Sequence, residues 1–271
     1  MSSYVITGVS GVIGFEFLRQ ISQCPSNTVI GLVRDKVSTE KKVSEQLSGR
    51  SNIHILQADL TNYEAMRLAV QDTATITGGT VDYLIANAAY VSTWDSYDPI
   101  GVLGNTPEKL EEEMLRCFKI NVVGNVHLFN LFMPLVLRGR AKKVVSITSG
   151  SSDLDPIRQH DIAVFSAYAI SKAAMNTAVA KFSAQYRKDG ILFMSICPGV
   201  VEAGHYANAN PEQQRKLEDV FAKFTKYAPH FTGPARPEDA VRDVISVWDR
   251  ASVENGDGGS FVSHQGNKQW L

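Results

Sequence analysis

The three cysteines, Cys24, Cys117 and Cys197, stand far apart with no CxxC pair among them, and the six histidines do not cluster. Neither a zinc site nor a disulfide framework can be read from such spacing, no metal is expected, and the chain is expected in a reducing cytoplasm. An excess of one charge is also missing: 27 basic and 28 acidic side chains leave a formal charge of -1. That removes the electrostatic reason to expect nucleic acid or an anionic membrane as partner. No uncharged run approaches the roughly 18 residues that a membrane-spanning helix needs. The strand-like "YVIT" begins at Tyr4, so no targeting signal is expected. Low-complexity tracts, short repeats and Pro/Gly-rich linkers are lacking, so one domain spanning residues 1–271 is expected.

What is present is alternation. Apolar, β-rich runs ("YVIT", "TVIGLV", "IHILQAD", "VDYLIAN", "KVVSIT", "ILFMSICP", "GSFVSH") are separated by helical patterns over about 14–23, 39–47, 62–74, 107–138 and 166–188, with a last helix after "RPED". Strands apolar on both faces belong in a parallel sheet covered by helices on each side. The fold class is therefore α/β: a Rossmann-type, doubly wound, seven-stranded parallel sheet flanked by helices. In such sheets ligands bind beyond the carboxyl ends of the strands. The irregular stretches there, about 90–106, 150–165 and 200–237, are read as substrate loops. Their histidines, His160, His205 and His230, read as surface residues.

Gly8, Gly11 and Gly14 recur every third position between the first strand and a helix, in "YVITGVSGVIGFEFL". A strand, a tight glycine turn and a helix N-terminus together make a phosphate site, because unpaired N–H groups and the helix dipole point at one spot. The second strand ends in "TVIGLVRDK". Arg34 there suits the 2′-phosphate of NADP(H), with Lys36 as a possible helper, whereas Asp35 would suit the ribose hydroxyls of NAD(H). NADP(H) is preferred and NAD(H) is kept open.

In "SAYAISKAAMNTAVAKF", Tyr168 and Lys172 lie one helical turn apart on one face. A phenol is a weak acid, with a pKa near about 10, but a neighbouring ammonium favours its phenolate. The pair can exchange a proton with a carbonyl or carbinol oxygen.

With these pieces in place the sequence resembles the short-chain dehydrogenase/reductase family over essentially its whole length. The matching motifs, in family order, are "TGVSGVIG", "ADL", "ANAA", "KIN", "SITS", "YAISK" and "CPG". The resemblance implies a catalytic tetrad of Asn121, Ser149, Tyr168 and Lys172. Tyr168 would transfer the proton, Ser149 would hydrogen-bond the substrate oxygen, Lys172 would hold the nicotinamide ribose and lower the tyrosine pKa, and Asn121 would hold a relay water. It also implies cofactor contacts from Gly8, Ser10, Gly11, Val12, Ile13, Gly14, Arg34, Asp59, Leu60, Asn87, Ala88, Pro198, Gly199 and Val201, besides Asn121, Tyr168 and Lys172. Family members pair through the two long helices, so a homodimer or homotetramer is implied, with Leu128, Phe129, Phe132 and Met133 as the apolar contact face.

The sequence also departs from the family pattern. Val12 stands at the usual middle glycine, giving TGxxGxxG, a spacing similar to that of the family's epimerases and dehydratases. "NAA" replaces Asn-Ala-Gly, Ala203 lies near a position where a threonine often binds the carboxamide, and the gap from Ser149 to Tyr168 is long enough to contain an insertion. Three functions follow. The first is an NADP(H)-dependent reductase of a hydrophobic ketone or aldehyde, or the reverse dehydrogenase, most similar to ketoreductases of natural-product pathways. The second is a non-redox epimerase or lyase with bound NAD(P). The third is a nucleotide-sensing binding protein.

Overall fold

All seven apolar runs form strands, because each presents branched or aromatic side chains to both faces of one sheet. A computed structural model describes residues 1–204 and 206–271; His205, one of the loop histidines, lies outside the described residues. The elements in chain order are β1 (Ser3–Thr7), α1 (Val12–Ile21), β2 (Thr28–Val33), α2 (Lys36–Gln46), β3 (Ile53–Gln57), α3 (Tyr63–Thr77) and β4 (Tyr83–Ala86). They continue with α4 (Ile100–Leu103), α5 (Pro107–Phe118), a π-helical turn Lys119–Gly124, α6 (Asn125–Val136), β5 (Lys143–Ile147), α7 (Leu154–His160), α8 (Ser166–Tyr186) and β6 (Leu192–Cys197). The last three are α9 (Pro211–Tyr227), α10 (Pro237–Arg250) and β7 (Phe261–Ser263).

The strand order is β3-β2-β1-β4-β5-β6-β7, and every pairing is parallel. The order reverses between β1 and β4, which opens a crevice at their carboxyl ends. Successive strand residues point to opposite faces, and the two cores follow from that parity. In β6, Phe193 joins Val5, Leu84, Phe129 and Phe132 on one face, while Leu192, Met194 and Ile196 join Phe17, Val244 and Trp248 on the other. Phe193 stacks with Phe182 and meets Phe129 edge-on, with centroids 5.3 and 5.5 Å away. Truncating it to alanine is expected to destabilise by about 3–5 kcal/mol.

Two expectations are corrected by the packing. Leu128, Phe129, Phe132 and Met133 are at most 3% exposed, buried in this chain's own core, so they offer no face to a second copy. The reason is that α6 lies on β4 and α3, and a helix apolar on most sides is a core helix. The segment 200–237, expected to be irregular, contains the 17-residue α9, started by a capping box between Asn210 and Gln213. Residues 150–165 likewise contain α7, whose N-cap is Asp153.

Candidate active site

The reversal point between β1 and β4 is stitched by side chains. Thr7 Oγ1 accepts hydrogen bonds from the N–H groups of Asn87 and Ala88 at 3.0 and 2.9 Å, and Asn87 Nδ2 donates to the Thr7 carbonyl at 2.9 Å. Gly8 follows with φ +74°, and a Cβ there would lie 2.9 Å from the Ala88 Cα. At Gly14 a Cβ would lie 2.3 Å from the Gly8 carbonyl and 2.6 Å from Asn87 Nδ2. These two glycines therefore let β1, α1 and β4 approach one another. Gly11 differs: it caps α1 with no side-chain hydrogen bond, and a Cβ there would meet nothing closer than 3.6 Å. The first turn of α1 thus presents its N–H groups on an open face of the crevice.

One cleft of about 890 Å³ runs from this turn across the carboxyl ends of the strands. It is bordered by Gly8, Ser10, Gly11, Val12, Ile13 and Gly14, by Arg34, Asp59, Leu60, Asn87 and Ala88, and by Ser149, Tyr168, Lys172, Pro198, Gly199 and Val201. Every cofactor or catalytic residue expected from the sequence is brought to it except Asn121. That side chain is fully buried behind the wall. Its Oδ1 accepts from Tyr90 N at 2.7 Å, and its Nδ2 donates to the Tyr90 carbonyl and Ser171 Oγ, both at 2.9 Å.

At the tip of β2, Arg34 borders the cleft while Asp35 is the N-cap of α2, accepting from Ser38 N at 3.0 Å. Lys36, the expected helper of Arg34, pairs with Glu40 at 3.6 Å instead. Lys42 is the cation that approaches the glycine turn, with Nζ 3.4 Å from the Ser10 carbonyl. Asp59 Oδ1 accepts from both the N–H and the hydroxyl of Thr61 at 2.8 Å.

Below the middle of the cleft, α8 carries Tyr168 and Lys172. Lys172 Nζ donates to the Ile147 carbonyl at 2.7 Å and lies 5.6 Å from the Tyr168 ring centre. Burial pushes the Lys172 ammonium down to about 8, and burial pushes the Tyr168 phenol above its ordinary range, with Cys197, Tyr206 and Cys117 adding to the rise. The expected lowering of the phenol by Lys172 is not seen among the protein groups themselves, where burial governs the shift. Ser149 reaches the cleft from the end of β5, its Oγ 2.8 Å from Ser151 Oγ. Cys197 Sγ accepts from Gly150 N at 3.1 Å and Gly199 N at 3.4 Å, tying the turns after β5 and β6 together.

The far end of the cleft is apolar, bordered by Pro156, Ile157, Ile162, Phe165, Tyr206, Leu217, Val220, Phe221, Phe224, Tyr227, Trp270 and Leu271. The Phe221/Phe224 stripe, which alone reads as ordinary packing, faces this space. Trp94 and Tyr97 of "YVSTWDSYDP" do not border it; Tyr97 backs Tyr206 edge-on at 6.3 Å. Trp270 was not legible in sequence. It lies against Gly150, where a Cβ would come within 2.6 Å of its side chain, and its Nε1 donates to Asp153 Oδ2 at 3.0 Å. Of the two described loop histidines, His230 is exposed, but His160 is half-buried, edge-on to Tyr227 at 5.3 Å.

A doubly wound sheet with a glycine cradle and a Tyr–Lys pair at its reversal crevice defines a nucleotide-dependent oxidoreductase class, and comparison with known proteins agrees. Residues 3–214 match the short chain dehydrogenase family. The chain is 63% identical to the short chain dehydrogenase virK of Hypocrea virens over 271 residues, all of both chains. It is 57% identical to the short-chain dehydrogenase/reductase iacC of Pestalotiopsis fici over 272 residues, again covering both completely. In fold it is similar to the carbonyl reductase Sniffer of D. melanogaster (TM-score 0.77, 20% identity, 98% of each chain). It is also similar to an NADPH-bound carbonyl reductase from chicken fatty liver (TM-score 0.75, 18% identity, 98% of each chain). The chain belongs to the short-chain dehydrogenase/reductase family.

Proposed function

We propose that the protein is an NADP(H)-dependent oxidoreductase that reduces a neutral, hydrophobic ketone or aldehyde to the alcohol, or runs the reverse, with Tyr168 as the acid or base. The observation that carries this reading is the position of Tyr168 and Lys172 between two unlike ends of one cleft, a phosphate-type cradle and an apolar chamber.

The cradle fits a dinucleotide: the α1 N-terminus is open at Gly11, Asp59 and Asn87 border the cleft beside it, and Arg34 stands at the tip of β2. Arg34 borders the cleft while Asp35 caps α2, which favours a 2′-phosphate over a bare ribose diol. Bound NADP(H) supplies or accepts the hydride at the substrate carbon. The chain's own groups do the rest. Ser149 Oγ donates a hydrogen bond to the substrate oxygen. The Tyr168 hydroxyl gives that oxygen its proton as the C=O bond becomes single, and burial keeps the phenol protonated beforehand, as an acid requires. The Lys172 ammonium stabilises the phenolate that remains. Asn121 acts through Tyr90 and Ser171, which it holds in place.

Among the described residues the apolar end carries no charged side chain, so a charged metabolite would lose hydration there without compensation. The exposed Leu115, Phe118 and Ile170 on α5 and α8, 61, 45 and 46% accessible, supply the apolar face for a homodimer or homotetramer. Light scattering at micromolar concentration tests this, a monomer contradicting it.

The decisive experiment screens aromatic and aliphatic carbonyls for loss of reduced-nicotinamide absorbance. Tyr168→Phe should lower turnover roughly 100- to 10,000-fold while NADPH binding persists. Conversion of a substrate with no absorbance change would instead favour an epimerase or lyase.

A further inference from the structure

Asp95 lies in the stretch after β4 and is fully buried. Its main-chain carbonyl accepts from Phe165 N at 3.0 Å, and its Oδ2 accepts from Ala167 N at 2.7 Å and Tyr168 N at 3.3 Å. These N–H groups open α8, and a helix start leaves such donors without intrahelical partners. Ordinarily the residue just before the helix caps them with a short polar side chain. Here that residue is Phe165, which has no acceptor and sits at φ +61°, a left-handed conformation disfavoured for a bulky aromatic. The cap comes instead from Asp95, 72 residues away from Ala167 in sequence.

A local Ser, Asp or Asn cap would have placed a small polar side chain where Phe165 now borders the apolar chamber. The remote cap frees position 165 to be an aromatic wall, and it binds the main chain of Tyr168 directly. The second carboxylate oxygen, Oδ1, is buried without a hydrogen-bond partner. Glu113 and Cys117 of α5 stand near it, and burial, reinforced by Glu113, raises the Asp95 carboxyl despite the two N–H donors. A group whose other oxygen satisfies nobody is there for the hydrogen bonds of Oδ2.

We propose that Asp95 is a positioning residue for both partners of the reaction, fixing the Tyr168 hydroxyl and the Phe165 wall in one register by clamping the first turn of α8. The proposal rests on Tyr168 being the acid. A displacement of about 1 Å at a reacting group costs on the order of 100-fold in rate, so the clamp has a large lever.

The test compares Asp95→Ala, Asp95→Asn and Tyr168→Phe, with turnover expressed per NADPH-binding site so that misfolded protein is not counted. Asp95→Ala should lower kcat per site roughly 10-fold or more and raise the carbonyl KM, with NADPH affinity within about twofold. Asp95→Asn keeps an acceptor oxygen at the Oδ2 position and should recover kcat to within about threefold. If Asp95→Ala does not fold, Asp95→Asn and Phe165→Asn still decide, the latter being expected to raise KM more than it lowers kcat. Unmodified kcat and KM per site in Asp95→Ala would overturn the proposal, as would an Asp95→Asn enzyme slowed by 10-fold or more. Tyr168→Phe separates the two ideas. If it is inactive while Asp95→Ala is normal, the clamp alone fails; if it turns over normally, the acid assignment fails and takes the clamp's rate effect with it.

Discussion

On the side of the cleft built by β1, β2 and β3, most wall residues follow a strand end in the chain: Gly8 to Gly14 after β1, Arg34 after β2, Asp59, Leu60 and Thr61 after β3, with Met66 added from α3. On the opposite side the walls come from α7, α9 and the segment at Trp270, joined by contacts between remote residues. Lys223 Nζ donates to the Asp161 carbonyl at 2.6 Å, Tyr227 OH accepts from Trp270 N at 3.1 Å, and Lys216 pairs with Asp98 at 2.8 Å. The first side is shaped by local backbone geometry and the second by tertiary contacts. Substitutions should therefore separate into those that act on cofactor and those that act on substrate.

Lys172 belongs to both sides, and changing it should have the largest effect among these tests. Lys172→Ala is expected to weaken NADPH binding and to lower turnover together, by roughly 100-fold or more in kcat/KM. Ser149→Ala should slow turnover with little change in NADPH affinity. Selective loss of either step in Lys172→Ala, measured by fluorescence titration and initial rates, would remove it from the boundary.

The same ammonium gives a pH dependence. Its folded pKa is depressed to about 8 by burial, so the charged form is lost as pH rises through that value. Activity should fall by up to about tenfold per pH unit above roughly 8, with the limb absent in Lys172→Ala. Stability moves the other way. The desolvation penalty on the ammonium is fully present below about 8 and is relieved as pH rises toward the ordinary lysine value near 10.4. Raising pH from 7 to 9 should thus remove activity while the fold is kept, which circular dichroism alongside rates would show.

Arg34→Ala should act on the cofactor side alone. A charge-assisted contact to a phosphate is worth roughly tenfold or more in affinity, so NADPH should weaken by that factor while NADH and the carbonyl KM stay the same. Equal binding of NADPH and NADH by the unmodified protein would sink the preference.

The legibility of the sequence follows the same division. The sheet, the glycine cradle, Arg34 and the Tyr168–Lys172 pair could be read because strand parity, turn geometry and helical spacing are local rules. Asn121 could be found but not placed: its motif gives its position in the chain, whereas its hydrogen bonds to Tyr90 and Ser171 depend on how the stretch after β4 packs on α8. Leu128 and Phe132 read as an interface in sequence but lie in the core, because an apolar helix face does not say whether it meets its own sheet or a second copy. Asp95 and Trp270 gave no signal, since the partners that define them lie far away in sequence.

Trp270 offers the smallest and most selective test. Its ring stacks on Phe261 at 4.4 Å, covers Gly150 beside the proposed catalytic Ser149, and is held to the N-cap of α7 through Asp153, which also meets Lys268 at 3.6 Å. Trp270→Ala opens the chamber and removes a buried ring, so Tm should drop as well as substrate affinity, by about 3 kcal/mol of stability. Trp270→Phe keeps most of the ring and loses only the Nε1 donor, leaving Asp153 to Lys268. The expected result is a carbonyl KM raised a few-fold, on the order of one lost hydrogen bond, with kcat at saturating substrate and NADPH affinity unchanged. Asp153→Asn has one acceptor oxygen where the carboxylate uses two, one for Trp270 Nε1 and one for Asp155 N, so it loses either that bond or the α7 cap along with the ion pair to Lys268 and should shift KM about as far as Trp270→Phe. If Trp270→Phe altered NADPH binding as much as KM, the two sides of the cleft would be coupled rather than separate.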